Sequence, residues 1–329
     1  MALTTKQVPA TNPSAPAGAA SRRSRAASNR RRHGEGLAGY VFLSPWLLGL
    51  MAITAFPMLF SLYLSFTNYD ILSSWEFVEW VGFQNYWDLF VNDQTFRHSV
   101  KVTLIFAFVA VPLKLAAALG VALLLNRESR GVGLFRSLFY LPSLLGGSVA
   151  LALIWRAMFS GDGAVNGFLG LFGITGQPWV NDPAWALETL MVLAIWQFGA
   201  PMVIFLAGLK QVPTELYEAA SVDGAGKVRQ FFNVTLPMLS PVIFFNLVLE
   251  TINGFQGFTA AFVISNGTGG PVDSTMLYTL YLYEKGFTEF QMGYASALAW
   301  IFLLAIGLIT VLFFSTGRFW VHYSDGDND

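Results

Sequence analysis

Long apolar runs separated by short polar stretches dominate this chain from residue 37 onward. A helix rises 1.5 Å per residue, so a hydrocarbon layer of about 30 Å takes about 20 apolar residues to cross. Six runs meet that length: Leu37 to Phe66, Ser99 to Leu125, Leu134 to Phe159, Trp185 to Leu209, Leu239 to Ser265 and Ala295 to Thr316. The pattern predicts an all-α polytopic membrane protein of about six transmembrane helices. The first run is too long for one straight crossing and contains Pro45 and Pro57, so it begins with an interfacial piece or tilts.

Composition agrees: with 54% hydrophobic and 12% charged residues, the chain carries more apolar surface than a soluble core needs. Cysteine is absent, which excludes disulfides, thiolate metal sites and thiol nucleophiles. The net charge of -1 conceals an asymmetry in the placement of Lys and Arg. Arg22, Arg23, Arg25 and Arg30 to Arg32 precede the first run, Arg127, Arg130 and Arg136 follow the second, and Lys210, Lys227 and Arg229 follow the fourth. Between Gly161 and Ala184 there is no basic residue, and between Asn266 and Tyr294 only Lys285. The positive-inside rule therefore places both termini and the loop after the fourth run in the cytoplasm. Residues 1–36, rich in Ala, Ser, Pro and Arg, read as a disordered basic cytoplasmic tail that sets topology and binds no nucleic acid. The first run is too long for the core of a signal peptide and reads as a retained anchor. The expected organisation is that tail, a first transmembrane helix with its outer loop over 37–98, a five-helix core over 99–317, and a short cytoplasmic tail over 318–329.

The loop after the fourth run has its own pattern. Glu215 and Glu218 complement the N-terminus of a short helix begun by Thr214 as N-cap, Asp223-Gly224 signals a turn, and a second short helix runs from Ala225 to Val234 before Pro237 opens the next run. The result is a helix-turn-helix knob outside the bilayer. Its residues Glu218-Ala219-Ala220, then Gly224 after three residues, Val234 after nine more, and Leu236-Pro237 resemble the EAA loop of bacterial ABC importer permeases in order and spacing. The resemblance extends over most of the chain. Residues Trp80 to Tyr86 are similar to the Val-Gly-Leu-x-Asn-Tyr stretch after the first span of the sugar-uptake class, and Phe139-Tyr140-Leu141-Pro142 to the start of a core span. Asn266 to Pro271 resembles that class's Thr-x-Gly-Gly-Pro turn, and Gly293 to Ala297 the start of its last span. Ser265-Asn266 in place of Thr-Gly, and Val234 in place of Ile, depart from the pattern without changing the class.

The resemblance implies a type I ABC importer transmembrane-domain fold in the bacterial cell membrane. It implies a second permease subunit, as a heterodimer or a homodimer, two cytoplasmic ATPase subunits, and an extracytoplasmic solute-binding protein delivering a sugar or a related solute such as glycerol phosphate. Glu218, Ala219, Ala220, Asp223, Gly224, Leu236 and Pro237 would couple the membrane domain to the ATPase. The chain itself is expected to be no enzyme and to need no cofactor. Its only Gly-Lys pair, Gly226-Lys227, is followed by Val228, so no P-loop is present. His33, His98 and His322 are too far apart in sequence to suggest a metal site or a catalytic triad.

Polar residues inside the spans carry the substrate argument. At 100° per residue, Asn246, Glu250, Asn253 and Gly257 fall within about 60° of one another, with Gln256 beside them. Such a stripe avoids lipid and faces either other helices or a water-accessible path, where amides and a carboxylate beside Phe255 and Phe258 suit a sugar's hydroxyls. Lys114 lies roughly 18 Å from the inner end of its span, at a depth similar to Glu250. The two form an ion pair, or Lys114 meets helix-terminal carbonyls or a partner subunit. Gln197, just ahead of Pro201, is a weaker candidate. An ion-coupled secondary transporter, with Lys114 and Glu250 as relay residues, is the alternative from another class, and it leaves the loop spacing unexplained.

Overall fold

The computed structural model describes residues 41–127 and 131–321, which are helical with no strand among them beyond an isolated Thr67 to Trp80 bridge. The N-terminal tail, Ser129, Arg130 and His322 lie outside the described residues. Helix α1 (Val41–Leu64) is followed by a short α2 (Gln84–Val91) and the 32-residue α3 (Gln94–Leu125). The third apolar run forms α4 (Val132–Leu144) and α5 (Val149–Met158), then comes α6 (Ala164–Gly170), and the fourth run forms α7 (Ala186–Trp196) and α8 (Gly199–Leu209). The polar loop holds α9 (Thr214–Val222) and α10 (Lys227–Gln230). The fifth run gives α11 (Ser240–Phe255) and α12 (Thr259–Ile264), and after α13 (Tyr278–Tyr283) the last run gives α14 (Met292–Gly317). By length and composition α1, α3, Ser240–Ile264 and α14 can each cross a membrane, and the two bent pairs α4/α5 and α7/α8 bring the described total to six.

The third run departs from the expected single span, because α4 and α5 meet at 98°. The cause is local. Gly146-Gly147 has poor helix propensity, and the Ser148 hydroxyl accepts the Leu151 N–H, starting a new helix in a new direction. The 40° bend between α7 and α8 follows from Pro201, which has no N–H to offer the carbonyl of Gln197 four residues back.

The chain divides into two compact units, Met1–Phe60 and Ser61–Asp329. The described part of the first is apolar helix with a π-helical turn at Leu50–Ala55, just before Pro57, where the missing N–H interrupts the regular ladder. In the second unit α3 is the central post, packing against α7, α8, α11 and α13. One apolar cluster gathers Phe106, Leu193, Leu277 and Leu298, and another Leu115, Phe205 and Leu239, so α3 contributes to both. Asp93 fixes the start of α3. Its carboxylate accepts the Phe96 N–H and the hydroxyls of Tyr281 and Tyr294, tying α3 to α13 and α14. Burial pushes this carboxyl's pKa up, but the two hydroxyls, the Phe96 N–H and the charge of Lys285 together bring it below its usual value.

Candidate functional site

The polar loop is a self-braced knob whose geometry explains its sequence spacing. Helix α9 ends with Gly224 in the left-handed region at φ 75°, where the Gly224 N–H reaches the Ser221 carbonyl and the Ala225 N–H the Ala220 carbonyl at 2.8 Å. This is a Schellman ending, in which the residue four after Ala220 must tolerate positive φ. Gln230 on α10 donates to Ser221 Oγ and to the Ala225 carbonyl, and Tyr217 pairs its hydroxyl with Thr235. A π-helical turn, Phe231–Thr235, and the short turn Leu236–Met238 then lead into α11. Glu215 lies in the first turn of α9 as expected, whereas Thr214 is the first helical residue and not a capping side chain, because Pro213 precedes the helix and no side-chain bond caps it. Glu218, Ala219 and Asp223 are exposed, and Leu236 and Pro237 are half-buried where the knob joins α11. Val222 is 88% exposed, Val228 73% and Phe232 58%, which leaves an apolar patch on a knob otherwise held by polar bonds.

The second feature is an open cavity of about 450 Å³ inside the helical bundle. Three helix interruptions border it: Gly146-Gly147 between α4 and α5, Gln197 between α7 and α8, and Gln256 to Phe258 between α11 and α12. Irregular backbone at membrane depth persists only where protein or a wet cavity satisfies it. The Ser143 hydroxyl donates to the Gln197 carbonyl at 2.9 Å and accepts the Ala200 N–H at 3.0 Å, closing the gap that Pro201 opens. The Gln197 side chain lies against Gly146, where an added Cβ would stand 2.6 Å from Oε1. Thr279 donates to the Gly257 carbonyl and stabilises the third interruption.

Lys114 and Glu250 both line this cavity and touch each other as an ion pair, Nζ to Oε2 2.7 Å, with side chains 16% and 10% exposed. Asn253 and Gln256 are exposed along its wall. Asn246, on the same stripe, stands apart: it is buried, and its amide donates to the Val242 carbonyl of its own helix. Phe258 lines the cavity, whereas Phe255 is buried and faces Phe108 edge-on. Ser143 and the Gly146-Gly147 break were not singled out from the sequence. Their signal was a Gly-Gly-Ser triplet inside an apolar run, which reads as a helix break followed by an N-cap.

Comparisons with known proteins agree with this architecture. Residues 103–323 match the family model described as binding-protein-dependent transport system inner membrane component. The chain is 49% identical over 290 residues to the probable ABC transporter permease protein YesP of Bacillus subtilis, covering 88% of this chain and 93% of that protein. It is 33% identical over 286 residues to the lactose transport system permease protein LacF of Rhizobium radiobacter, covering 85% and 94%. Among solved structures, a chain of a bacterial alginate ABC transporter in complex with an alginate pentasaccharide-bound periplasmic protein superposes with a TM-score of 0.75 at 20% identity, covering 88% of this chain and 96% of that one.

Proposed function

The chain belongs to the family of binding-protein-dependent transport system inner membrane components, and from that premise we propose that its cavity is half of a sugar path and its polar loop the point where ATP-driven motion enters. It is a multi-pass permease subunit of an ABC importer, working with a second permease subunit, ATPase subunits and a solute-binding protein. That membership leaves no role for the ion-coupled alternative.

The observation that carries the proposal is the convergence of three helix interruptions and one ion pair on a single cavity. Its volume lies in the range of small-molecule sites. The Gln197, Asn253 and Gln256 amides each offer both a donor and an acceptor, which matches sugar hydroxyls that are both at once. Phe106 and Phe258 supply apolar faces for the C–H surfaces of a sugar ring. The cavity's two charged side chains neutralise each other, which favours a neutral sugar, of the kind LacF is named for, over an anionic solute such as glycerol phosphate. ATP hydrolysis belongs to the partner ATPases. Their closure moves the α9/α10 knob as one piece, because its two helices are tied to each other, and Leu236-Pro237 passes that motion to α11, which carries Glu250 and Asn253.

In proteoliposomes containing the assembled transporter and its binding protein, Asn253→Ala and Gln256→Ala are each expected to lower uptake of the transported sugar by about tenfold, roughly one lost hydrogen bond apiece. ATPase copurification should stay intact. Lactose, other neutral oligosaccharides and glycerol phosphate are the solutes to compare. Full uptake in both variants would remove the cavity from the path.

The proposed orientation, with the knob and both termini cytoplasmic, rests on the Lys and Arg distribution. The absence of cysteine makes it directly testable. Val272→Cys and Leu171→Cys, 83% and 81% exposed, are expected to react with an impermeant maleimide added to intact cells, and Val222→Cys only after permeabilisation. Labelling of Val222→Cys from outside would reverse the orientation.

A further inference from the structure

A second, apolar groove runs between α3 and α14, and we propose that it holds an acyl chain of an anionic phospholipid whose phosphate is bound by Arg97 and Lys101. The groove has a volume of about 310 Å³, with Val100 and Leu104 of α3 on one wall, Phe302, Ala305 and Ile309 of α14 on the other, and Phe255 behind. Arg97 is part of its lining. Arg97 and Lys101 are exposed and one helical turn apart, so they share a face of α3.

Depth assigns the cations to the headgroup layer. At 1.5 Å per residue they lie roughly 36–42 Å from Leu125 along α3, past a hydrocarbon core of about 30 Å and at the outer edge of the headgroup layer, where their long side chains reach back to the phosphates. Helix α2 marks the same level: Trp87 and Phe90 are 63% and 58% exposed, as on a helix lying at the membrane interface, and Phe90 also lines the groove.

Neither cation has a counter-ion among the described residues, where both ion pairs lie elsewhere. The carboxylate one turn before Arg97 is Asp93, which is already engaged by Tyr281 and Tyr294. Lipid tails are as apolar as the groove, so an acyl chain gains little over bulk lipid by entering it, and selective residence must come from the headgroup. A phosphate with net negative charge supplies what the two cations lack. An apolar helix that carries no acidic residue would not.

The test is native mass spectrometry of the transporter assembled with its partner subunits and titrated with phosphatidylglycerol or phosphatidylcholine. Phosphatidylglycerol is expected to be retained preferentially, and Arg97→Ala and Lys101→Ala are each expected to weaken its retention by about fivefold. Arg97→Lys, which keeps the charge, should retain most of it. Ala305→Trp should fill the groove and weaken retention with both cations present. Equal retention of the two lipids, or unchanged phosphatidylglycerol retention in the Arg97→Ala/Lys101→Ala double variant, would overturn the proposal. Loss in that double variant with no effect of Ala305→Trp would place the lipid on the surface and overturn the groove assignment. So would a cross-link from Ala305→Cys to a partner subunit's helix.

Discussion

Lys114→Met and Glu250→Gln are each expected to destabilise the assembled transporter more than the double substitution does. The pair is close, at 2.7 Å, and sits in the interior of the helical bundle. Removing one partner leaves the other charge without its counter-ion in a poorly solvated site, a loss of typically about 3–5 kcal/mol. The side chains are 16% and 10% exposed toward the cavity, so water relieves part of that penalty and the lower end of the range applies. Removing both leaves a neutral amide facing a thioether, which has no stranded charge to solvate. The coupling energy, the sum of the two single losses minus the loss in the double, should therefore exceed about 3 kcal/mol, readable as non-additive shifts in thermal unfolding of the two single variants and the double. If the losses simply add, the pair contributes nothing as a pair. Uptake by the double variant then separates two roles: a stable but inactive transporter makes the charges part of the sugar path, and a stable, active one makes them only a tie between α3 and α11.

The spans were legible because bilayer thickness fixes their length independently of tertiary structure, and the run from Ser99 to Leu125 maps onto α3 with its start extended only to Gln94. The Lys114–Glu250 contact was also within reach, since two opposite charges at matched depth on neighbouring helices have few other partners. Angular periodicity misled at Asn246. A helical wheel gives the direction of a side chain around the axis but not which stretch of the axis opens onto a cavity, and Asn246 satisfies its amide within its own helix, one turn away from the opening. The setting of Gln197 was not legible for a related reason. Pro201 announces a kink, but the Ser143 hydroxyl that completes the kink comes from a helix more than fifty residues earlier, and only the fold brings that hydroxyl to the break. The 98° turn at Gly146-Gly147 was visible locally as a helix-breaking triplet, yet hydropathy alone runs straight through it.

Gly224→Val is expected to abolish uptake and release the ATPase while leaving membrane insertion intact. At φ 75° Gly224 occupies a conformation that costs an ordinary L-residue about 1–2 kcal/mol, and a β-branched side chain more. An added Cβ meets nothing within 4 Å in this chain, so the substitution acts on the backbone and not on packing. If the turn relaxes toward negative φ, the Ala225 N–H leaves the Ala220 carbonyl, α10 loses its fixed angle to α9, and the bonds from Gln230 to Ser221 and Ala225 are lost with it. The knob would then present Val222, Val228 and Phe232 in many arrangements instead of one, and a docking cleft that needs them together would bind weakly. Gly224→Asn is the control, because Asn enters the left-handed region at low cost. Retained uptake with Asn and lost uptake with Val would identify the turn's conformation as the requirement. Loss with both would instead indicate that the partner packs directly against the bare glycine. Undiminished uptake and ATPase copurification in a well-expressed Gly224→Val variant would leave the knob with no part in coupling.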